Sequence, residues 1–232
     1  MSAARQPALG TAAIALAILF NLPYAILAVS FDYPAILRQP PAEVLVRFAE
    51  GWAGLVLTWY AFALAALALV PLAIGLAMTP RRLADQPAMT ASAAIVGALA
   101  GLTQAIGLMR WVFVVPELAR AAASGDPAST AAAAHSFALI HAYGGVAIGE
   151  HLGQLLTALF VALLAIIQWR ESRRIAATLG VLTAPLLAFG TGEGLMLALG
   201  RDGDTFALLT IAGFLGLTVW LIATGLGLIR RG

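Results

Sequence analysis

The sequence contains no cysteine and no lysine. The first absence excludes disulfides, thiolate nucleophiles and Cys-ligated metals. The second excludes a Schiff-base lysine of the kind that retinal attachment requires. Charge of either sign is also scarce: 10% of the 232 residues are charged, against about a quarter in a soluble domain. What is present is apolar. Hydrophobic residues make up 62% of the chain, and the mean hydropathy is +0.95. Such a chain has too little polar surface for water, and a bilayer is its natural solvent. All thirteen basic residues are arginines, and all but Arg110 are scattered over short loops and chain ends, so the basic balance is no nucleic-acid signal. The bias toward Ala, Gly and Arg fits a bacterial genome of high GC content.

Six runs are apolar over at least the about 20 residues that cross a hydrocarbon core: 8–30, 51–79, 88–116, 134–169, 175–199 and 205–229. The reading is an all-α polytopic bundle of six transmembrane helices forming one integral membrane domain. Ala28-Val29-Ser30 has a small-x-small form, so cleavage of residues 1–30 as a leader stays open beside the first span. Pro34, Pro40 and Pro41 interrupt the longest polar loop, 31–50, whose second half, 42–50, makes a short interfacial helix. Trp52, Trp59 and Tyr60 lead into the second span, as aromatics at a headgroup boundary do. Six spans put both termini on one side. That side carries Arg5, Arg81, Arg82, Arg170, Arg173, Arg174, Arg230 and Arg231, whereas the opposite loops carry Arg38, Arg47, Arg120 and Arg201. The positive-inside rule then expects cytoplasmic termini, a multi-pass protein of the bacterial inner membrane, and residues 31–50, 117–130 and 201–204 facing outward. No internal repeat supports an inverted-repeat transporter.

Three charges stand inside spans: Arg110, Glu150 and Glu193. An intramembrane charge costs at least about 2.5–3.5 kcal/mol on insertion scales, so it faces the bundle and has a partner. Arg110 is expected within about 4 Å of Glu150 or Glu193. At about 100° per residue, Ser136, Tyr143, Glu150, Gln154 and Thr157 fall on one stripe of the fourth span, and Gly145, Gly149 and Gly153 lie on roughly the opposite side. Glycines at that spacing let another helix approach closely. Gly190-Thr191-Gly192-Glu193-Gly194 loosens the fifth span, either to line a ligand site or to pack tightly. His135, His141 and His151 point in three directions on a straight helix, and the outer two lie about 24 Å apart. They cannot share one metal, whose ligands lie within about 2.0–2.2 Å of it. No metal and no other cofactor is expected.

The run Phe137 to Gln154, with Tyr143-Gly144-Gly145 and Gly149-Glu150-His151-Leu152-Gly153-Gln154, resembles small bacterial six-span proteins of the DUF4386-like domain of unknown function. Arg110-Trp111 with Val115-Pro116 fits the same resemblance. It implies the six-span architecture and draws attention to Arg110, Glu150 and His151. It implies no activity.

The residues themselves support an outward-facing polar pocket inside the membrane that binds or passes a small ligand or proton, with no enzymatic step. Arg110, Tyr143, Glu150, His151, Gln154 and Glu193 are its candidate residues. Glu150 and His151 are read as a titratable pair. Two rivals stand beside this reading. One is an intramembrane hydrolase or transferase with Glu150 or His151 as general base. The other is a structural or regulatory subunit whose polar centre only fixes helix register. Oligomeric state is open.

Overall fold

The computed structural model describes residues 6–230, and Arg5 and Arg231, two of the arginines in the charge count, lie outside them. Six helical stretches are long and apolar enough to cross a membrane: Pro7–Ser30, Pro41–Ala77, Pro87–Ala122, Pro127–Arg170, Arg174–Ala198 and Asp204–Arg230. No strand occurs among the described residues. The chain is a multi-pass, all-helical membrane protein.

The elements are α1 (Pro7–Ser30), a 3-10 turn (Ala35–Arg38), α2 (Pro41–Ala77), α3 (Pro80–Asp85), α4 (Pro87–Phe113), α5 (Val115–Ala122) and α6 (Pro127–Ile140). A π-helical segment (His141–Leu152) follows, then α7 (Gly153–Arg170), α8 (Arg174–Gly190), α9 (Gly192–Ala198) and α10 (Asp204–Arg230). Proline opens α1, α2, α3, α4 and α6 within the first two positions, where its missing N–H loses no helical bond.

The spans pack in chain order, α1 on α2, α2 on α4, α4 on α7, α7 on α8, α8 on α10, and α10 back on α1. This is a closed ring of six. The last contact is close: a Cβ on Gly10 would stand 2.5 Å from the Gly225 carbonyl. Asn21 donates to Thr218 at 2.9 Å across the same pair. A ring of six helices, each about 10 Å across, leaves space along its axis. Near the termini that space is filled by Leu16, Phe160, Leu164, Leu217 and Trp220.

At the other end the chain builds a cap. The span Pro127–Arg170 has 44 residues, about 66 Å of helix, twice the about 30 Å of a hydrocarbon core. Its start, with α5 and the first part of α2, extends past the apolar core. These pieces surround a second cluster of Phe31, Leu45, Phe48, Trp59, Trp111 and Phe137. The rings of Trp59 and Trp111 stack at 4.8 Å, and Phe31 meets Trp111 edge-on at 5.4 Å. Two expectations change here. Residues 117–130, read as a loop, are largely helical because the small amphipathic α5 buries Val115 and Ala119 in the cap. Trp59 is no headgroup anchor, being fully buried. The helix expected over 42–50 is present, joined to the second span across a kink at Trp52.

Candidate functional site

The ion cluster sits under the cap, where four elements converge. Arg38 comes from the 3-10 turn. Its Nη2 lies 2.9 Å from Glu150 Oε2 and 2.8 Å from Glu193 Oε1, and its Nε donates to Glu193 Oε1 at 3.0 Å. Burial would lower the Arg38 pKa, but the two carboxylates outweigh it and hold it above the ordinary value. Arg110 enters from α4. Its Nη2 is 3.9 Å from Glu150 Oε1 and 3.2 Å from His141 Nδ1, and Nη1 donates to the Gly107 carbonyl. The Arg110 side chain is only 6% exposed, whereas Arg38, Glu150 and Glu193 are 29%, 31% and 19% exposed. The cluster is thus graded, nearly dry at Arg110 and wet at Arg38.

Glycine makes this approach possible. A Cβ on Gly145 would stand 2.6 Å from Arg110 Cζ, and one on Gly107 would stand 2.6 Å from Gly149 Cα. Gly153 likewise faces Gln104. The glycine row of the fourth span therefore seats α4, as small residues do between membrane helices. Gln104 donates to Thr157 at 2.8 Å, and Gln154 donates to the Leu187 carbonyl and to Thr210, both at 3.0 Å. Gly190 leaves room for Gln154 and Thr210, and Gly192 for Phe206. The glycine-rich stretch breaks the fifth span at Thr191, between α8 and α9, and turns Glu193 toward Arg38.

A cavity of about 380 Å³ adjoins the cluster. Arg38, Arg110, Glu150, Gln154, Glu193 and Asp204 line its polar part, and Tyr24, Tyr33, Trp59, Phe62 and Trp111 its aromatic part. Burial, reinforced by the Glu150 charge, pushes the Tyr33 phenol pKa up, so Tyr33 presents an O–H. Three fully buried donors behind this wall, Arg110 Nε and the indole nitrogens of Trp59 and Trp111, have no partner among the described residues and are closed to the cavity.

Of the sequence candidates, Arg110, Glu150, Gln154 and Glu193 line one cavity. Tyr143 and His151 do not. Tyr143 is 69% exposed on the bundle surface, and Ser136 is exposed too. The stripe fails because residues 141–152 close i→i+5 bonds, which turn each residue through less than the about 100° of an α-helix. Tyr143 and Glu150 thereby separate. His151 Nδ1 donates to the Thr191 carbonyl at 3.0 Å, so it is not paired with Glu150. The histidine of the cluster is His141, stacked on Phe137 at 5.4 Å. His135 is exposed, and no group of three or more His, Asp or Glu suited to a metal occurs among the described residues.

A family model for a domain of unknown function, DUF4386, matches residues 8–225. The chain belongs to the DUF4386 family. No curated protein and no solved structure matches it. The DUF4386 match runs through every element of the cluster, from Arg38 to Glu193. Sequence reasoning missed Arg38, although a signal existed: two carboxylates inside spans against one arginine left a cation to be supplied from a loop.

Proposed function

We propose that this chain is a multi-pass protein of a bacterial inner membrane that binds a small ligand from the outer side, in the pocket headed by Arg38, Arg110, Glu150 and Glu193. One observation carries the reading. A cavity of about 380 Å³ carries Arg38, Arg110, Glu150 and Glu193 on one lining, and three of these side chains keep 19–31% of their surface open. A cluster kept only for helix register needs no such space beside it, whereas a polar ligand does. The reading is non-enzymatic. Glu150 Oε2 accepts from Arg38 and His151 Nδ1 donates to a backbone carbonyl, so the two do not act as a pair.

The cysteine-free chain allows a direct test. Ala207 lines the cavity beside its charged mouth. In oriented vesicles, Ala207→Cys is expected to react with an impermeant thiol reagent added outside, and Thr218→Cys, deeper in the cavity, more slowly. A sealed Ala207→Cys, or one labelled only from inside, refutes an outward-facing pocket.

A further inference from the structure

The fifth span breaks at Thr191, and the piece beyond the break, α9, has no buried residue. Leu195 and Leu197 are exposed on it. Glycines flank the piece, Gly190 and Gly192 on one side, Gly200 and Gly203 on the other. Gly200 has φ +66°, a conformation that glycine adopts freely and other residues avoid. Segments with few buried contacts open locally at low free energy, and the lids of binding sites are drawn from them.

Little holds α9 down. Among the described residues its only side-chain hydrogen bonds are those of Glu193, which accepts from Arg38 Nε at 3.0 Å and from Nη2 at 2.8 Å. Both side chains are partly open to water, and an ion pair in that setting is weak. Glu193 is also the one residue of α9 that lines the cavity, and Arg38 lines it too. The tie therefore stands at the charged mouth. Thr191, by contrast, is fixed. It is buried, its Oγ1 donates to the Ala188 carbonyl at 2.7 Å, and its own carbonyl accepts from His151 Nδ1 at 3.0 Å. His151 thus pins the break to the fourth span.

We propose that α9 is the lid of the cavity, turning about Gly190–Gly192 and Gly200, pinned at Thr191 by His151, and latched by Glu193 on Arg38. This rests on the pocket reading above and adds how entry is controlled. A ligand group that takes Arg38 or Glu193 for itself releases the latch, so binding and lid motion are coupled. An α9 that only completed the fifth span would leave access to the cavity indifferent to this pair.

The test uses the full chain in oriented vesicles and a small, impermeant, cationic methanethiosulfonate added outside. Thr218→Cys, on the cavity lining, is the reporter. Arg38→Gln and Glu193→Gln are each expected to raise its labelling rate at least about fivefold. The two remove opposite charges from the mouth, so a field effect on the cationic reagent would move their rates in opposite directions. Acceleration by both reports the lid. Arg47→Gln, whose ion-pair partner is Glu50, is expected to leave the rate unchanged. Ala93→Cys, buried in the core, is expected to stay unlabelled beside either latch variant.

A staple tests the closed state. A Cβ on Gly194 stands 3.6 Å from His151 Cβ, within the about 3.5–4.5 Å of a disulfide. With His151→Cys and Gly194→Cys oxidised in the same chain, position 218 is expected to label at least about tenfold more slowly than in Thr218→Cys alone. Rates at position 218 that ignore both latch and staple overturn the lid. Opposite shifts in the two latch variants overturn it as well, by assigning the effect to charge. So does labelling of Ala93→Cys, which would report a loosened bundle. In each of these cases Ala207→Cys labelled from outside leaves the pocket standing, whereas Ala207→Cys sealed from outside overturns pocket and lid together.

Discussion

Gly107 is the point where two backbones of the site nearly touch. A Cβ there meets Gly149 Cα at 2.6 Å and the Gly144 carbonyl at 3.0 Å. Neither neighbour is the tip of a flexible side chain, so the helices themselves must part. Gly107→Ala is expected to lower stability by about 1–3 kcal/mol, as overpacking does. Gly54 is its control, having nothing within 4 Å of a built Cβ. Gly54→Ala is expected to be neutral or to stabilise by up to about 1 kcal/mol, since alanine loses less backbone freedom in a helix. Thermal unfolding of both variants in one detergent checks the pair. Arg38 shows the other side of residue-scale energetics. Removing one partner of a dry ion pair costs about 3–5 kcal/mol, and an exposed pair contributes about 0–1 kcal/mol. The Arg38 side chain is 29% exposed, between these limits. Arg38→Gln is therefore expected to cost about 1–2 kcal/mol. Denaturant unfolding of the variant beside wild type measures it, and a loss near 4 kcal/mol would show a drier cluster than described.

At the scale of elements, the π segment and the link between α3 and α7 do different work. The π segment rotates Glu150 into the cavity and Tyr143 out of it, and it is why periodicity misassigned half of the polar stripe. Nothing in Gly144-Gly145 distinguishes an i→i+5 ladder from an α-helix with loose packing, because glycine fits both. The glycine row was legible, since its four-residue spacing reports close approach whichever ladder forms. The link between α3 and α7 is a staple at the opposite end from the cap. Arg82 Nε and Nη2 each donate to Glu171 at 2.6 Å, and Arg173 stands 3.2 Å from the same carboxylate. Burial alone would raise the Glu171 pKa, but the hydrogen bonds and charge of Arg82 hold it below its ordinary 4.5. A depressed folded pKa means that the unfolded chain binds more protons in acid. The stabilisation is complete above about pH 4.5 and is lost as pH falls through the folded value. Thermal midpoints of wild type are thus expected to be level from pH 7 to about 5.5 and to fall below about 4.5. Glu171→Gln, lower by about 3 kcal/mol at neutral pH, is expected to show a smaller fall in acid. An equal fall in both would remove Glu171 as the source.

At the scale of the whole molecule, the ring of six spans was legible because every run that crosses a bilayer must be long and apolar. The cap was not legible. Its helices are short and rich in small residues, as in α5 and α6, and their burial comes from the aromatic cluster of Phe31, Phe48, Trp59 and Trp111, residues far apart in the chain. Arg38 was missed for the same reason, since a loop arginine meets its carboxylates only once the cap has folded over them. The cap also sharpens the question of orientation. The turns bearing Arg38 and Asp204 lie at the cap end. Arg82, Arg170, Arg173 and Glu171 gather at the other end, where Arg170 donates to Gln86 at 3.0 Å. The arginine excess at that other end predicts that it faces the cytoplasm, because basic loops resist translocation. Asp126 caps α6 at the exposed tip of the cap, and Ser172 lies in the turn between α7 and α8. With no native cysteine to interfere, Asp126→Cys in intact cells is expected to react with an impermeant thiol reagent, and Ser172→Cys only after the membrane is opened. The reverse pattern would turn the pocket to the cytoplasm. The ion cluster and its cavity would survive that result unchanged, but the ligand would then have to enter from the cytoplasmic side.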